Sequence, residues 1–185
     1  VSGDWTLAGG ITGDGSTKAL NPGYRADTLT TANSHIGFGL LATGNITNQF
    51  HVGCGAGAEE FRVAGRFALD APGAMNGKMG NAATDRMGDP VGTGDPQMPV
   101  GNAVFSKPNM YRAGVLTGTV ASTTNNYTGT GTPHIFALQN HTTLALSFYS
   151  NGRIGWYSFG STMTAAQALS LDTIQNALYT AIGRS

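Results

Sequence analysis

In 185 residues, ten Lys and Arg balance ten Asp and Glu, and only 11% of positions are charged, against about 25% in ordinary soluble domains. The chain therefore lacks the clustered cations from which phosphate-backbone affinity comes, and it contains neither a bilayer-length apolar run nor a signal-peptide pattern, so neither nucleic acid nor a membrane is expected as a partner. With 40% hydrophobic residues it should fold, and at this length one domain spanning 1–185 can bury a large core without disulfides.

Before residue 160 the pattern is one of short apolar or alternating runs separated by turn residues, which predicts a sandwich or barrel rather than helices. Strands are predicted at 5–7, 19–20, 35–41, 49–52, 60–68, 103–113, 115–120, 134–137, 144–150 and 154–159, with Pro108 confined to an edge or a bulge. Turns are predicted at Gly13-Asp14-Gly15-Ser16, where Asp14 can accept amides of its own loop, at Asn21-Pro22-Gly23 and at Thr43-Gly44-Asn45. Residues 70–102 hold Pro72, Pro90, Pro96 and Pro99 among many glycines with no apolar period, and read as a long loop or insertion held by a neighbour. Residues 117–132 read as a long hairpin tip. Asn151-Gly152 suits a type I′ turn, so the runs on either side of it are expected to pair. A helix is predicted over 164–183: Thr164 and Gln167 form a capping box, Leu171, Ile174, Leu178 and Ile182 lay an apolar stripe to be buried on that hairpin's sheet, and Gly183 ends the last turn.

Several blocks then resemble a known family. Gly13-Asp14-Gly15-Ser16-Thr17-Lys18 followed by Ala19-Leu20 is similar to the opening of concanavalin A-like (laminin G-like) jelly-roll domains of tailed-bacteriophage virion proteins, and Asn33-Ser34-His35-Ile36-Gly37 resembles the strand start that follows in them. The ending, through Phe136-Ala137-Leu138-Gln139-Asn140, Leu146-Ser147-Phe148-Tyr149, Trp156-Tyr157-Ser158-Phe159-Gly160, Leu171-Asp172 and Ala181-Ile182-Gly183-Arg184, resembles the family's tail helix and the strands before it. The resemblance covers roughly the first 40 residues and the last ~50, in short motifs. It implies an all-β, two-sheet concanavalin A-like jelly-roll sandwich with one C-terminal α-helix. It also implies a non-enzymatic structural protein of the virion, displayed on tail, fibre or capsid, packed against other virion subunits and copies of itself, and able to contact host-surface carbohydrate. A glycan-degrading tailspike-type enzyme and a secreted lectin are the alternatives. The chain opens on Val1 rather than Met, as a processed chain or an excerpt of a longer virion protein would.

Chemistry-bearing residues are few. Glu59-Glu60 is the only adjacent carboxylate pair, and neighbours on a strand point to opposite faces, unlike the same-face pair a retaining glycosidase needs. His51 and Cys54, three apart on a strand, are likewise expected on opposite faces, with Cys54 a small buried hydrophobe. His35, His134 and His141 lack metal-ligand spacing, one carboxylate at Asp14 is too few for calcium, and Asp89 with Asp95 reads as turn-initiating. No metal or cofactor is expected. Among the aromatics, Phe148 with Trp156 or Tyr157 is expected to pack the core, while Tyr149, Trp156 and Tyr157 are the candidates for stacking on a sugar ring.

Overall fold

The computed structural model describes residues 5–7, 9–25, 33–42, 50–56, 59–64, 76–80, 86–88, 101–119 and 129–184. Among these residues fourteen strands and one helix follow in chain order: β1 (Trp5–Thr6), β2 (Gly10–Thr12), β3 (Ser34–Ala42), β4 (Phe50–Ala56), β5 (Glu59–Ala64), β6 (Asn76–Gly80), β7 (Arg86–Gly88), β8 (Gly101–Ser106), β9 (Asn109–Arg112), β10 (Val115–Thr119), β11 (His134–Ile135), β12 (Leu138–Gln139), β13 (Leu146–Ser147), β14 (Arg153–Ser161) and α1 (Ala165–Ala181). They build two sheets: sheet I in the order β1-β2-β14-β3-β8-β9-β10, and sheet II in the order β13-β12-β4-β5-β6-β7 with β11 also paired to β4. The chain is thus a mostly antiparallel, two-sheet β-structure closed by a C-terminal helix.

Period-2 alternation explains how the sheets meet. Ile36, Phe38 and Leu40 of β3 join Ala103 and Phe105 of β8, Met110 of β9 and Ile154 of β14 in one core with Val52 and Cys54 of β4, Ile135 and Phe136. Phe38 and Phe105 stack with ring centroids 6.2 Å apart. Between these inward residues, β3 places His35, Gly37 and Gly39 on its other face, which α1 and Trp156 cover. A Cβ added to Gly39 would lie 2.3 Å from Trp156 Nε1, so that position admits no side chain unless the indole moves.

The helix begins and ends as predicted. Thr164 Oγ1 accepts from the Gln167 amide at 3.3 Å, while Gln167 Oε1 accepts from the Thr164 amide at 2.8 Å. At the other end Gly183 takes φ 67°, letting the Arg184 amide donate to Tyr179 O and the Gly183 amide to Thr180 O, the two bonds of a Schellman end.

Other expectations change. The 103–113 run is a hairpin, β8 paired with β9, and Pro108 sits in its turn after a cis peptide bond from Lys107. Residues 76–80 and 86–88, expected as loop, are β6 and β7, added to sheet II by antiparallel pairing with β5 and with each other. The remainder of 70–100 lies outside the described residues, as do residues 43–45. The strands flanking the predicted hairpin tip do not pair, since β10 belongs to sheet I and β11 to sheet II, and residues 120–128 lie outside the described residues. Asn151-Gly152 joins no hairpin either: β13 pairs with β12 in sheet II and β14 with β2 and β3 in sheet I, so the dipeptide carries the chain from one sheet to the other. Neither residue takes the positive φ that a type I′ turn requires. Ser150, buried, holds the crossing from inside by accepting the Gly152 amide on Oγ at 3.0 Å. Finally, α1 docks on the outer face of sheet I. Its buried contact is Ala168, packed with Val104 and Tyr111 and flanked by Leu171, while Ile174 and Leu178 are 63% and 48% exposed. The predicted stripe is therefore rotated, because the sheet grips the helix through polar side chains.

Candidate functional site

A connected set of polar and aromatic side chains lies in the seam between α1 and sheet I. Asn102, at the start of β8 and 7% exposed, is its hub. Its Nδ2 donates to Asp172 Oδ1 at 2.8 Å and to Asn176 Oδ1 at 3.1 Å, while its Oδ1 accepts from Trp156 Nε1 at 2.8 Å. Asn176 Nδ2 in turn donates to Asp172 Oδ2 at 3.0 Å, the i,i+4 spacing that puts both on one side of a helix. Every polar atom of Asn102's side chain is thus engaged, which is what a nearly buried amide requires. At the N-terminal end of the helix Ser106 Oγ accepts the Met163 amide at 2.6 Å, clamping the approach to α1 onto β8. At the other end the Arg184 guanidinium lies 4.9 Å from the Tyr179 ring centroid and donates to the carbonyl of Leu7 and, at 3.4 Å, to that of Gly155. Burial pushes the Tyr179 phenol above its ordinary value, with Arg184 acting in the opposite sense.

Of the three residues expected on a glycan face, the strand separates two. Trp156 is in the seam, its indole N–H committed to Asn102. Tyr157, one residue on, packs against the inter-sheet core with its ring 6.0 Å from that of Phe159. Tyr149 is half-buried in the segment between β13 and β14. They do not converge on one surface. Phe148, expected in the core, is 47% exposed and meets Phe50 edge-on at 5.4 Å.

The remaining candidates fall as follows. Asp14 accepts from the amides of Ser16, Thr17 and Lys18 at 2.8–2.9 Å and from the Thr17 hydroxyl at 2.6 Å. These donors hold its carboxyl well below the usual carboxylate range, and they occupy the oxygens a cation would need. Glu59 and Glu60 open β5, in register with Ala56 and Gly55; Asp89 and Asp95 lie outside the described residues. Cys54 is wholly buried in the core, which closes it to a disulfide between subunits. His51, also wholly buried, places Nδ1 3.0 Å from Ser150 Oγ and leaves Nε2 without a partner; burial lowers its pKa to about 4. His35 is bound through Nδ1 to Ser161 O at 2.7 Å and through Nε2 to Ser158 Oγ at 3.1 Å, and burial lowers it too. His134 Nδ1 lies 2.9 Å from Thr132 O. Among the described residues no three His, Cys, Asp or Glu side chains gather as a metal site.

Two features escaped sequence reading. Asp172 and Asn176 carry an i,i+4 polar signature one step from Ala168, legible had the helix been phased on its small residue. The Ser150–His51 contact spans 99 positions and leaves no local signal.

The surface adds a third observation. On α1 and the neighbouring strand β10, Val115 is 62% exposed, Leu116 53%, Leu169 53%, Ile174 63% and Leu178 48%. Leu169 lies directly over Gly114, beside β10: a Cβ on that glycine would fall 2.7 Å from its Cδ1. Compared with known proteins, the chain matches no family model, no curated protein and no solved structure.

Proposed function

We propose that this protein is a non-enzymatic structural subunit of a bacteriophage virion, its sandwich of the concanavalin A-like jelly-roll type, seated at the particle surface against other subunits. The observation that carries the reading is the set of large apolar side chains left in solvent on α1 and β10, on a chain with no net charge. Exposed apolar surface on adjoining elements is what a subunit offers its neighbours, and low charge gives little protection to a molecule diffusing alone. The two-sheet architecture with a terminal helix accords with the family that the opening and closing motifs resemble. Asp14 fits the same reading, since the Gly-Asp-Gly block acts as a self-bonded turn and so as architecture.

The test is location. Particles banded on a density gradient from a producing culture should contain the chain by mass spectrometry, and antibody against it should decorate them in electron micrographs. Recovery only in the particle-free supernatant overturns the reading. Cleavage of host-surface polysaccharide by the purified chain replaces it with the enzymatic alternative, and glycan binding by protein that never enters particles replaces it with the lectin.

A further inference from the structure

The flank of α1 turned away from Asn102 forms a ridge. At 100° per residue from the buried Ala168, Ser170, Ile174 and Leu178 lie along one i,i+4 row, on the side opposite to Asn176. All three are exposed, Ile174 at 63% and Leu178 at 48%. The row carries no charge: Asp172 is the only charged residue in the helix, and Asn102 and Asn176 bind it. The first turn holds no acidic residue and the last no basic one, so the positive and negative ends of the helix dipole have no counter-charge within α1.

We propose that this ridge is an isologous interface for a second copy of the chain, whose α1 runs antiparallel to the first across a two-fold axis at Ile174. The inference rests on the reading that the chain packs against other subunits, and names the first of them. Three observations select the occupant. Ile174 stands next to the midpoint of Ala165–Ala181, so a two-fold there sets Leu178 opposite the partner's Ser170 and the converse, large against small on both sides, as self-complementarity requires. An antiparallel arrangement brings each dipole end beside the opposite end of its partner, whereas a parallel one would set like ends together. And a neutral row meets its own copy without repulsion, while offering nothing to a charged partner. Two 17-residue helices alone bury less than the ~1,600 Å² of a standard interface, so the dimer should depend on concentration.

Sedimentation equilibrium of the full chain over a dilution series should show a monomer–dimer equilibrium, weakened at least tenfold by Ile174→Asp and by Ser170→Leu, which fills the hole, with unchanged melting temperature. Val115→Asp, on the exposed β10, should leave it unaltered. An independent check is Ile174→Cys, which lies on the axis and should give a disulfide-linked dimer on oxidation, whereas Thr180→Cys should not. A wild type that stays monomeric throughout, a dimer indifferent to Ile174→Asp, or one lost equally with Val115→Asp overturns the proposal. Dimer in solution with no chain in particles sinks the virion reading alone; chain in particles that is monomeric when purified sinks this interface alone.

Discussion

His51 shows how one residue can be a liability that the fold tolerates under particular conditions. Its imidazole is fully buried, with one hydrogen bond at Nδ1 and none at Nε2, in the junction where Ser150 and Gly152 carry the chain between the sheets. Gly152 is packed so closely that a Cβ there would lie 2.7 Å from His51 Cε1, so a side chain at this position would press on the ring. Burial lowers the folded-state pKa from 6.5 to about 4. Above pH 6.5 both folded and unfolded chains are neutral at this residue and stability is full. As the pH falls from there, the unfolded chain takes up a proton that the folded one refuses, and stability declines until the folded imidazole also titrates near 4. That gap corresponds to roughly 3 kcal/mol. Urea melts between pH 7.5 and 4 should therefore lose about that much, His35 adding in the same direction, and His51→Gln should flatten the profile. Asp14 acts elsewhere: its lowered carboxyl withdraws stability only once the pH falls below the ordinary 3.8. A wild-type profile that is level from 6.5 to 4 would show the imidazole to be solvated.

At the scale of elements, α1 separates what local chemistry dictates from what it does not. The capping box and the Gly183 end depend on residues three or four apart, so they were legible in the sequence. Which face turns inward was not, because Leu171, Ile174, Leu178 and Ile182 outweigh Ala168 in any count of apolar residues, yet sheet I offers the helix an amide at Asn102 and close approach over Val104. Small size at the contact and three hydrogen bonds at the hub prevail over the larger apolar stripe. Asn102→Asp should test this: it replaces the donor to Asp172 by a second carboxylate at 2.8 Å, between a nearly buried position and a half-buried one. A loss of about 2 kcal/mol is expected for breaking the hub's hydrogen bonds and leaving like charges together. The loss should be read as a lowered melting temperature with early proteolysis of α1, and Asn102→Ala should be milder. Equal stability of Asn102→Asp and wild type would mean that the helix is held by Ala168 and Leu171 alone.

For the whole molecule, the core shared by β3, β4, β8 and β14 links the sheets, and Cys54, buried within it, reports on it. With no exposed surface and neighbours from both sheets, its thiol should react with a maleimide only when the sandwich opens. Its labelling should slow in step with global stability across a urea series. Labelling at the rate of a free thiol in native buffer would place β4 outside the core. The same scale shows where sequence reading ran short. Alternation identifies an apolar face but not the strand that lies beside it, so Asn151-Gly152 predicts a pairing of its flanking strands that the fold does not make, because they belong to different sheets. β6 and β7, set among glycines, have no apolar period and are strands because β5 supplies a hydrogen-bonding edge to β6, and β6 in turn to β7.

By itself the sequence determined the β class, the self-bonded Asp14 turn and the existence, caps and limits of α1, because each of these follows from residues at most a few positions apart. Only the tertiary structure decided the partition of strands between sheets, the rotation of α1 that leaves Ile174 in solvent, the separation of Trp156 from Tyr157 across one strand, and the burial of His51 against Ser150. Each of those depends on an edge, a face or a packing partner supplied by a segment far away in the chain, and no local pattern encodes which distant segment will supply it.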